Sequence, residues 1–562
     1  MVSAGHSAAA LGGAEVLRRG GNAIDAGVAA GICLNVLQPD MTNFGGVAPI
    51  LVFLADTKQV HGISGLGWWP RNASIEHFQR HHDGQMPPGV LRAVIPSAPD
   101  AWLTALERFG TLRFEEVVTP ALELAEHGFP VYPQLEGSLR TLSGVFQQWP
   151  SSMEVYAPNG RTPRTGELLV QRDLARTFQR LIEAERGASD QGREAGIRAA
   201  RERFYRGDLA QEMARFSREQ GGWLDEQDLA DFRVEVEAPP SIDYKGIQVY
   251  GSGAWCQGPL LLESLKLLEG IDLQRLGHNS LEYVHTVAEA LLLGFADREA
   301  YIGDPRFVEV PLEGLLSAAY AQAQRGRIGP RAAGRLPEPG DPWPFQGRSA
   351  PARHAAAPQP VAGRHRGDTS YLCVIDAQGN GFSATPSDTL DWTPIVPGLG
   401  IVLSGRGLQS RLDPAHPSAL APGKRPRLTP NPALAVKDGE LFMTFGTPGG
   451  DMQVQAMLQT FLNVVEFGMD PQQAIESPRF GTFSYPNSFY PYAYTPGLLR
   501  VEDGIAAQTR QALGERGHQV QTWTGLDPEA GGVTAIVRER YPGGSSLAGG
   551  ADPRRTCYAI GW

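Results

Sequence analysis

A threonine placed where a chain can be cut brings together both halves of nucleophilic catalysis. In this 562-residue sequence a stretch rich in Pro, Ala, Gly and Arg, Gly329 to Gly367, runs into Gly367-Asp368-Thr369. Thr369 then opens an apolar run, Tyr371-Leu372-Cys373-Val374-Ile375, that reads as a strand. If the Asp368–Thr369 bond breaks, Thr369 becomes a chain N-terminus, with its hydroxyl beside a free α-amine. That amine has a reference pKa of roughly 7.7–8.0, so a useful fraction is neutral near physiological pH and can accept the hydroxyl proton. Nucleophile and base then belong to one residue. The scission needs no protease: the Thr369 hydroxyl can attack the Asp368 carbonyl, and the resulting ester can hydrolyse. Taken alone, a threonine opening a strand is also an ordinary β-former.

Other residues offer chemistry with a structural alternative beside it. Gly449-Gly450 follows an apolar run and could present backbone N–H groups to an oxyanion, or simply turn the chain. Ser387, after Thr385-Pro386, is a second hydroxyl or a turn residue. His77 and His81 lie one helical turn apart, with His82 and Asp83 adjacent, as metal ligands could. The polar neighbours and Gly84 favour a solvated helix end, and no metal is expected. Asp297, Arg298 and Asp304 read as a buried structural ion pair near a helix end. Gly12-Gly13 and Gly20-Gly21 do not follow a strand, so a dinucleotide cofactor is not expected, and no GxSxG elbow is present.

The elements that must position these groups alternate between strands and helices. Ser7 can cap a first helix, Gly20-Gly21 end it, and Asn22 cap the small-residue run from Ala23. Ile50 to Leu54 reads as a buried strand. Residues 100 to 330 are mostly helical in pattern, with a strand at Ile247 to Tyr250 and a helix after Gly258-Pro259. Gly329 to Gly367 reads as a mobile connector. Beyond it come a hairpin through Gly381 to Thr385, a second hairpin from Leu434 to Phe445, a helix from Gln455 to Phe467, and strands at Gly531 to Val537 and Thr556 to Ile560. Strands between helical segments imply stacked sheets inside helical layers.

Composition narrows the partners. Hydrophobic residues make up 42% and charged residues 20%, a globular balance. The net charge of -11 disfavours nucleic acid or an anionic membrane as partner. Cys33, Cys256, Cys373 and Cys557 lie far apart, which argues against a disulfide framework or a zinc ribbon. The run from Ala23 to Leu37 is too short to span a bilayer. No signal peptide is visible, which points to the cytoplasm; the first motif starts almost at Met1, so a leader upstream stays open.

Several of these segments, in this order, resemble the γ-glutamyltranspeptidase family of N-terminal-nucleophile hydrolases. They are Gly20-Gly21-Asn22-Ala23-Ile24-Asp25-Ala26, Asn43-Phe44-Gly45-Gly46, Phe295-Ala296-Asp297-Arg298 with Gly303-Asp304-Pro305, Gly367-Asp368-Thr369, Pro422-Gly423-Lys424-Arg425 and Gly446-Thr447-Pro448-Gly449-Gly450. The resemblance implies a four-layer αββα sandwich and self-cleavage at Asp368–Thr369. Residues 1–368 would be the large subunit and 369–562 the small one, together one intertwined domain. It implies a processed heterodimer, possible pairing of two heterodimers, and no cofactor. It makes Thr369 the nucleophile, Ser387 the hydroxyl that helps hold its amine, and Gly449-Gly450 the oxyanion hole.

The substrate-reading positions depart from the family pattern. The arginine that holds an α-carboxylate aligns with Leu66, and the aspartate that takes an α-ammonium with Gln409. Paired serines become Leu428 and Thr429, and an acidic or amide position becomes Arg406. A neutral Gln409 cannot replace an aspartate facing an ammonium. The pocket therefore resembles the branch of cephalosporin acylases and oxamate-type amidohydrolases. The expected substrate is a small-molecule amide whose acyl part lacks an α-amino group and carries a carboxylate for Arg406. Trp68 and Trp69 would wall the acyl pocket or belong to the core. The alternatives are a true γ-glutamyltransferase or glutathione hydrolase, and an uncleaved binding homologue.

Overall fold

An apolar helix without a single exposed residue sets the first layer. In α2 (Ala23–Leu37) all 15 residues are buried. Asn22 caps it by accepting the N–H groups of Ile24 and Asp25, and the Asp25 carboxylate accepts the Asn22 N–H at 2.9 Å. Its small residues allow close approach: a Cβ on Gly27 would stand 2.2 Å from the Phe382 ring, and one on Gly31 2.5 Å from Trp102. The preceding helix, α1 (Ser7–Arg18), is capped by the His6 imidazole, not by Ser7 as the sequence suggested.

The structure, a computed structural model, describes residues 1–351, 358–361 and 369–562. Asp368 and the basic run Arg364-His365-Arg366 lie outside the described residues. Thirteen strands build the two main sheets: β1 (Val2–Ala4), β2 (Ile50–Leu54), β3 (Gln59–Ile63), β4 (Val236–Glu237), β5 (Ser241–Tyr244), β6 (Ile247–Gly251), β7 (Leu372–Ile375), β8 (Gly381–Ala384), β9 (Ala433–Lys437), β10 (Glu440–Gly446), β11 (Thr534–Tyr541), β12 (Gly544–Ala551) and β13 (Tyr558–Ile560). One sheet runs β13-β1-β7-β8-β2-β3-β4 and the other β12-β11-β10-β9-β6-β5. Strands from before and after residue 368 interleave in the first sheet and meet at the β9–β6 seam in the second.

Period-two alternation separates the layers. Leu372, Val374, Val52 and Phe382 pack outward with α2 and its neighbouring helices. Leu51, Phe53, Cys373 and Ile375 point the other way and meet Leu434, Val436, Leu441 and Ile536 of the second sheet. The far face of that sheet, with Val249, Ala435 and Met443, is covered by α3 (Gly258–Glu269), α4 (Leu281–Tyr301) and α5 (Met452–Val465). The order is helix, sheet, sheet, helix, as the resemblance implied. Among the described residues no helix is long and apolar enough to cross a membrane.

Two segments differ from the sequence reading. The first part of the stretch read as a mobile connector is docked. Trp343 is buried, Phe345 packs edge-on against Tyr320, and the Gly340 N–H and C=O bond to Asp297 and the Tyr301 hydroxyl at 2.7 and 2.6 Å. Its anchors are single aromatic and backbone contacts, which leave no periodicity to read. Strand β12, rich in Gly and Ser, was missed for the same reason, yet it pairs with β11 along its full length.

The contact between α2 and β8 generates a prediction. Gly27→Ala forces its methyl into the Phe382 ring and is expected to lower stability by about 1–3 kcal/mol, read as a fall in the urea midpoint. Phe382→Leu in the same chain should recover part of the loss.

Candidate active site

The hairpin register that builds β7 and β8 continues past both strands and pairs Thr369 with Ser387. Their hydroxyl oxygens are 2.9 Å apart, and both residues are buried. Ser387 is also clamped from its other side: its N–H and C=O bond to the backbone of Val47 at 3.0 and 3.1 Å. The Asn43-Phe44-Gly45-Gly46 loop makes room for this, because a Cβ on Gly46 would sit 2.3 Å from the Ser387 carbonyl oxygen.

The second sheet supplies donors from the opposite side. After β10 the chain turns through Gly449 and Gly450, whose φ angles are +118° and +58°, conformations that favour glycine. Their carbonyls accept the first N–H groups of α5, from Met452 and Gln453 at 3.0 and 3.2 Å. Neither glycine N–H has an acceptor among the described residues. Two free donors at the N-terminus of a helix are suited to a developing negative charge. The Gln453 side-chain nitrogen, in the first turn of α5, lies 3.5 Å from the Thr369 hydroxyl. Sequence reading missed Gln453, since a glutamine inside an apolar helix carries no motif.

A buried arginine backs the serine. Arg406 is wholly buried; it donates to the Ser387 hydroxyl, and at 3.2 Å to the Gln409 side-chain oxygen Oε1. Gln409 in turn donates to the Thr429 hydroxyl at 2.9 Å. The guanidinium lies 4.7 Å from the centre of the Trp392 ring and 3.8 Å from the Asp388 carboxylate. Its Nε has no hydrogen-bond partner. Asp388, at φ +131°, accepts the Ser404 hydroxyl and the Gly405 N–H at 2.6 and 3.1 Å. Burial pushes the Asp388 carboxyl up to about 6, against the opposing pull of Arg406.

The structure thus brings together Thr369, Ser387, Gly449, Gly450, Arg406, Gln409 and Thr429. Leu66 sits in an apolar cluster with Val47, Trp255, Cys256 and Leu428. Trp69 is core: its ring underlies Gly407 and its Nε1–H donates to Ser410 at 2.8 Å. Trp68 packs on Phe232 and Arg306. The rings beside Arg406 are Trp392 and Phe489 instead. His77, His81 and His82 sit at the end of a short helix, with His81 exposed and His77 and His82 half-buried.

The remaining charged motif residues are structural. Arg298 holds Asp451 at 2.5 Å and the Gln257 side-chain oxygen Oε1 at 3.2 Å, and the Gln257 side-chain nitrogen donates to the Gly450 carbonyl at 3.4 Å. This chain fixes the glycine turn from behind. Asp297 binds Tyr320 and Gly340, and Asp304 pairs with Arg306 and Arg425. A cleft of about 710 Å³, lined by Thr389, Asp391, Gly449, Asp451 and Asn487 among others, opens onto the glycine turn.

Asp388 gives this site a pH signature. An unfolded aspartate releases its proton at about pH 4, whereas the folded one holds it up to about 6. The stability this group contributes is present below pH 4 and is lost as pH rises through 6. Asp388→Asn cannot ionise. Its urea midpoint relative to the parent should therefore rise between pH 4 and 6 and stay level above.

A family model described as gamma-glutamyltranspeptidase matches residues 9–562. The glutathione hydrolase-like YwrD proenzyme of Bacillus subtilis is 32% identical, over 100% of this chain and 98% of its own length. The acylase ACY 1 proenzyme of a Pseudomonas species is also 32% identical, over 96% of this chain and 89% of its own. The crystal structure of a cephalosporin acylase from Bacillus halodurans superposes with a TM-score of 0.85 at 30% identity, covering 100% of this chain and 95% of that one. With the αββα layers and the paired hydroxyls at the end of β7, these matches lead to one conclusion: the chain belongs to the γ-glutamyltranspeptidase family of N-terminal-nucleophile amidohydrolases and acyltransferases.

Proposed function

We propose that the chain cuts itself between Asp368 and Thr369 and then hydrolyses a small amide with Thr369 as nucleophile. The observation that carries this reading is the Thr369–Ser387 hydroxyl pair, with Arg406 behind it. In the first reaction the Thr369 oxygen attacks the Asp368 carbonyl carbon. The C–N bond breaks, an ester forms and the α-amine is released. Water then cleaves the ester and leaves Asp368 as a carboxylate.

In turnover the neutral α-amine takes the hydroxyl proton as Oγ1 attacks the substrate carbonyl. The oxyanion is met by the free N–H groups of Gly449 and Gly450. The amine passes its proton to the leaving nitrogen, and an acyl-threonine ester remains for water to hydrolyse. Arg406 can only donate, so it occupies a lone pair of Ser387 and favours the serine O–H as donor toward Thr369. Interleaved strands keep residues 1–368 and 369–562 together after the cut, as one heterodimer.

The pocket chemistry selects the acyl group. Where an aspartate would bind an ammonium there is Gln409, already bonded to Arg406 and Thr429. Leu66 offers no cation. Arg406 places a cationic group behind Ser387, its Nε without a hydrogen bond and 3.8 Å from the Asp388 carboxylate. An acyl chain ending in a carboxylate, without an α-ammonium, fits this set best. Related proteins named acylase proenzyme and cephalosporin acylase accord with it.

Intact-mass analysis should find two fragments meeting at Asp368/Thr369, and Thr369→Ala should remain a single chain of 60.7 kDa. A single chain in the parent protein as well would overturn the mechanism. Ser387→Ala should still fold and lose about 10²-fold in kcat. Among anilide donors, glutaryl should be turned over faster than γ-glutamyl. The reverse order would return the protein to glutathione-type substrates. Arg406→Met should abolish the glutaryl preference.

A further inference from the structure

Far along α4 from the catalytic threonine, three side chains converge that the reaction does not use. His285 and Glu289 lie one turn apart on α4, and His518 comes from the segment ahead of the strand Gln519–Trp523. All three are buried, at 2%, 7% and 8% exposure. One nitrogen from each ring and a carboxylate oxygen lie within 4.8 Å of one another.

The hydrogen bonding prepares these atoms for a metal. His285 Nε2 bonds to the carbonyl oxygen of Gly329 at 2.8 Å, so that nitrogen carries the proton and Nδ1 presents its lone pair inward. Backbone carbonyls orient metal-binding histidines in this way. His285 Nδ1 faces His518 Nε2 at 3.0 Å. Two nitrogens on a tetrahedral zinc stand about 3.3 Å apart, given Zn–N bonds of roughly 2.0–2.1 Å. One oxygen of Glu289 accepts the Ala333 N–H at 3.2 Å, and the other has no partner among the described residues.

We propose that His285, Glu289 and His518 form a binding site for one zinc ion, with water as the fourth ligand. Two imidazoles and a carboxylate suit zinc over calcium or magnesium. Binding needs the proton on His518 Nε2 to move to its Nδ1, a tautomer change without net charge, and a small turn of the Glu289 carboxylate.

The site ties together three parts of the chain. His285 and Glu289 precede the proposed cut and His518 follows it. Gly329 and Ala333, at the start of the stretch leading to Thr369, are held by the two α4 ligands, and the Ala332 N–H bonds to Arg516 at 3.0 Å. Zinc here would clasp the two subunits and pin the base of that stretch. This holds whether or not Thr369 is the nucleophile.

The test uses the full-length protein, stripped with chelator and titrated with Co²⁺ and with Zn²⁺. One Co²⁺ per chain should bind with the visible absorption of a tetrahedral site, and Zn²⁺ should displace it and raise Tm. His518→Ala and Glu289→Gln should each fold, keep the parent's self-cleavage and amide hydrolysis, and lose the cobalt spectrum and the Tm rise. No stoichiometric uptake by the stripped protein would overturn the site. So would a cobalt spectrum unchanged in both variants.

Discussion

One backbone register governs the candidate catalytic end of this protein. β7 and β8 pair so that Thr369 and Ser387 face each other beyond the last regular strand residues. Because side chains alternate with period two, a slip of one residue would turn Thr369 away from the seam and expose Cys373 and Ile375 on the wrong face. The inter-sheet core, with Leu434, Val436 and Leu441 against those strands, holds the register. The same apolar packing that stabilises the sandwich thereby aims the hydroxyl.

Around that hydroxyl, the protein buries charge and offsets the cost with dense bonding. Arg298 is wholly buried and bound to Asp451, Gln257, Ser488 and the Pro486 carbonyl. Removing one partner of such a pair typically costs about 3–5 kcal/mol, because the other charge is left without compensation. What this arrangement supplies is position: it holds the turn at Gly449 and Gly450 with two N–H groups unspent. Arg406 differs. Its Nε makes no hydrogen bond and lies 3.8 Å from the Asp388 carboxylate, and its guanidinium stacks on Trp392.

Because both sheets combine strands from either side of residue 368, the proposed cut there would leave the fold whole. β1, β2, β3 and β4 share a sheet with β7, β8 and β13, and β5 and β6 with β9 to β12. Separating the parts would unzip both sheets and open all three apolar layers. The proposed cut would therefore change one residue's chemistry, from amide to amine, without dismantling the fold. The cluster of His285, Glu289 and His518 crosses the same boundary at another point.

Much of this was legible in the residues themselves. The Asn22 cap, the small-residue helix α2, the hairpin leading from Thr369 and the glycine turn before α5 each rest on local pattern, which a sequence carries directly. The alternation of strands and helices suggested the layers, and the ordered motifs, through the family resemblance, implied the αββα sandwich and pointed to Thr369. Contacts between segments far apart in the chain were not legible. Gln453 next to Thr369, Arg406 behind Ser387, Trp392 in place of Trp68 and Trp69, and His518 beside His285 were decided only by the tertiary structure. Local propensity follows from neighbours in the chain, whereas a recognition site is assembled from side chains that meet only once the two sheets have stacked.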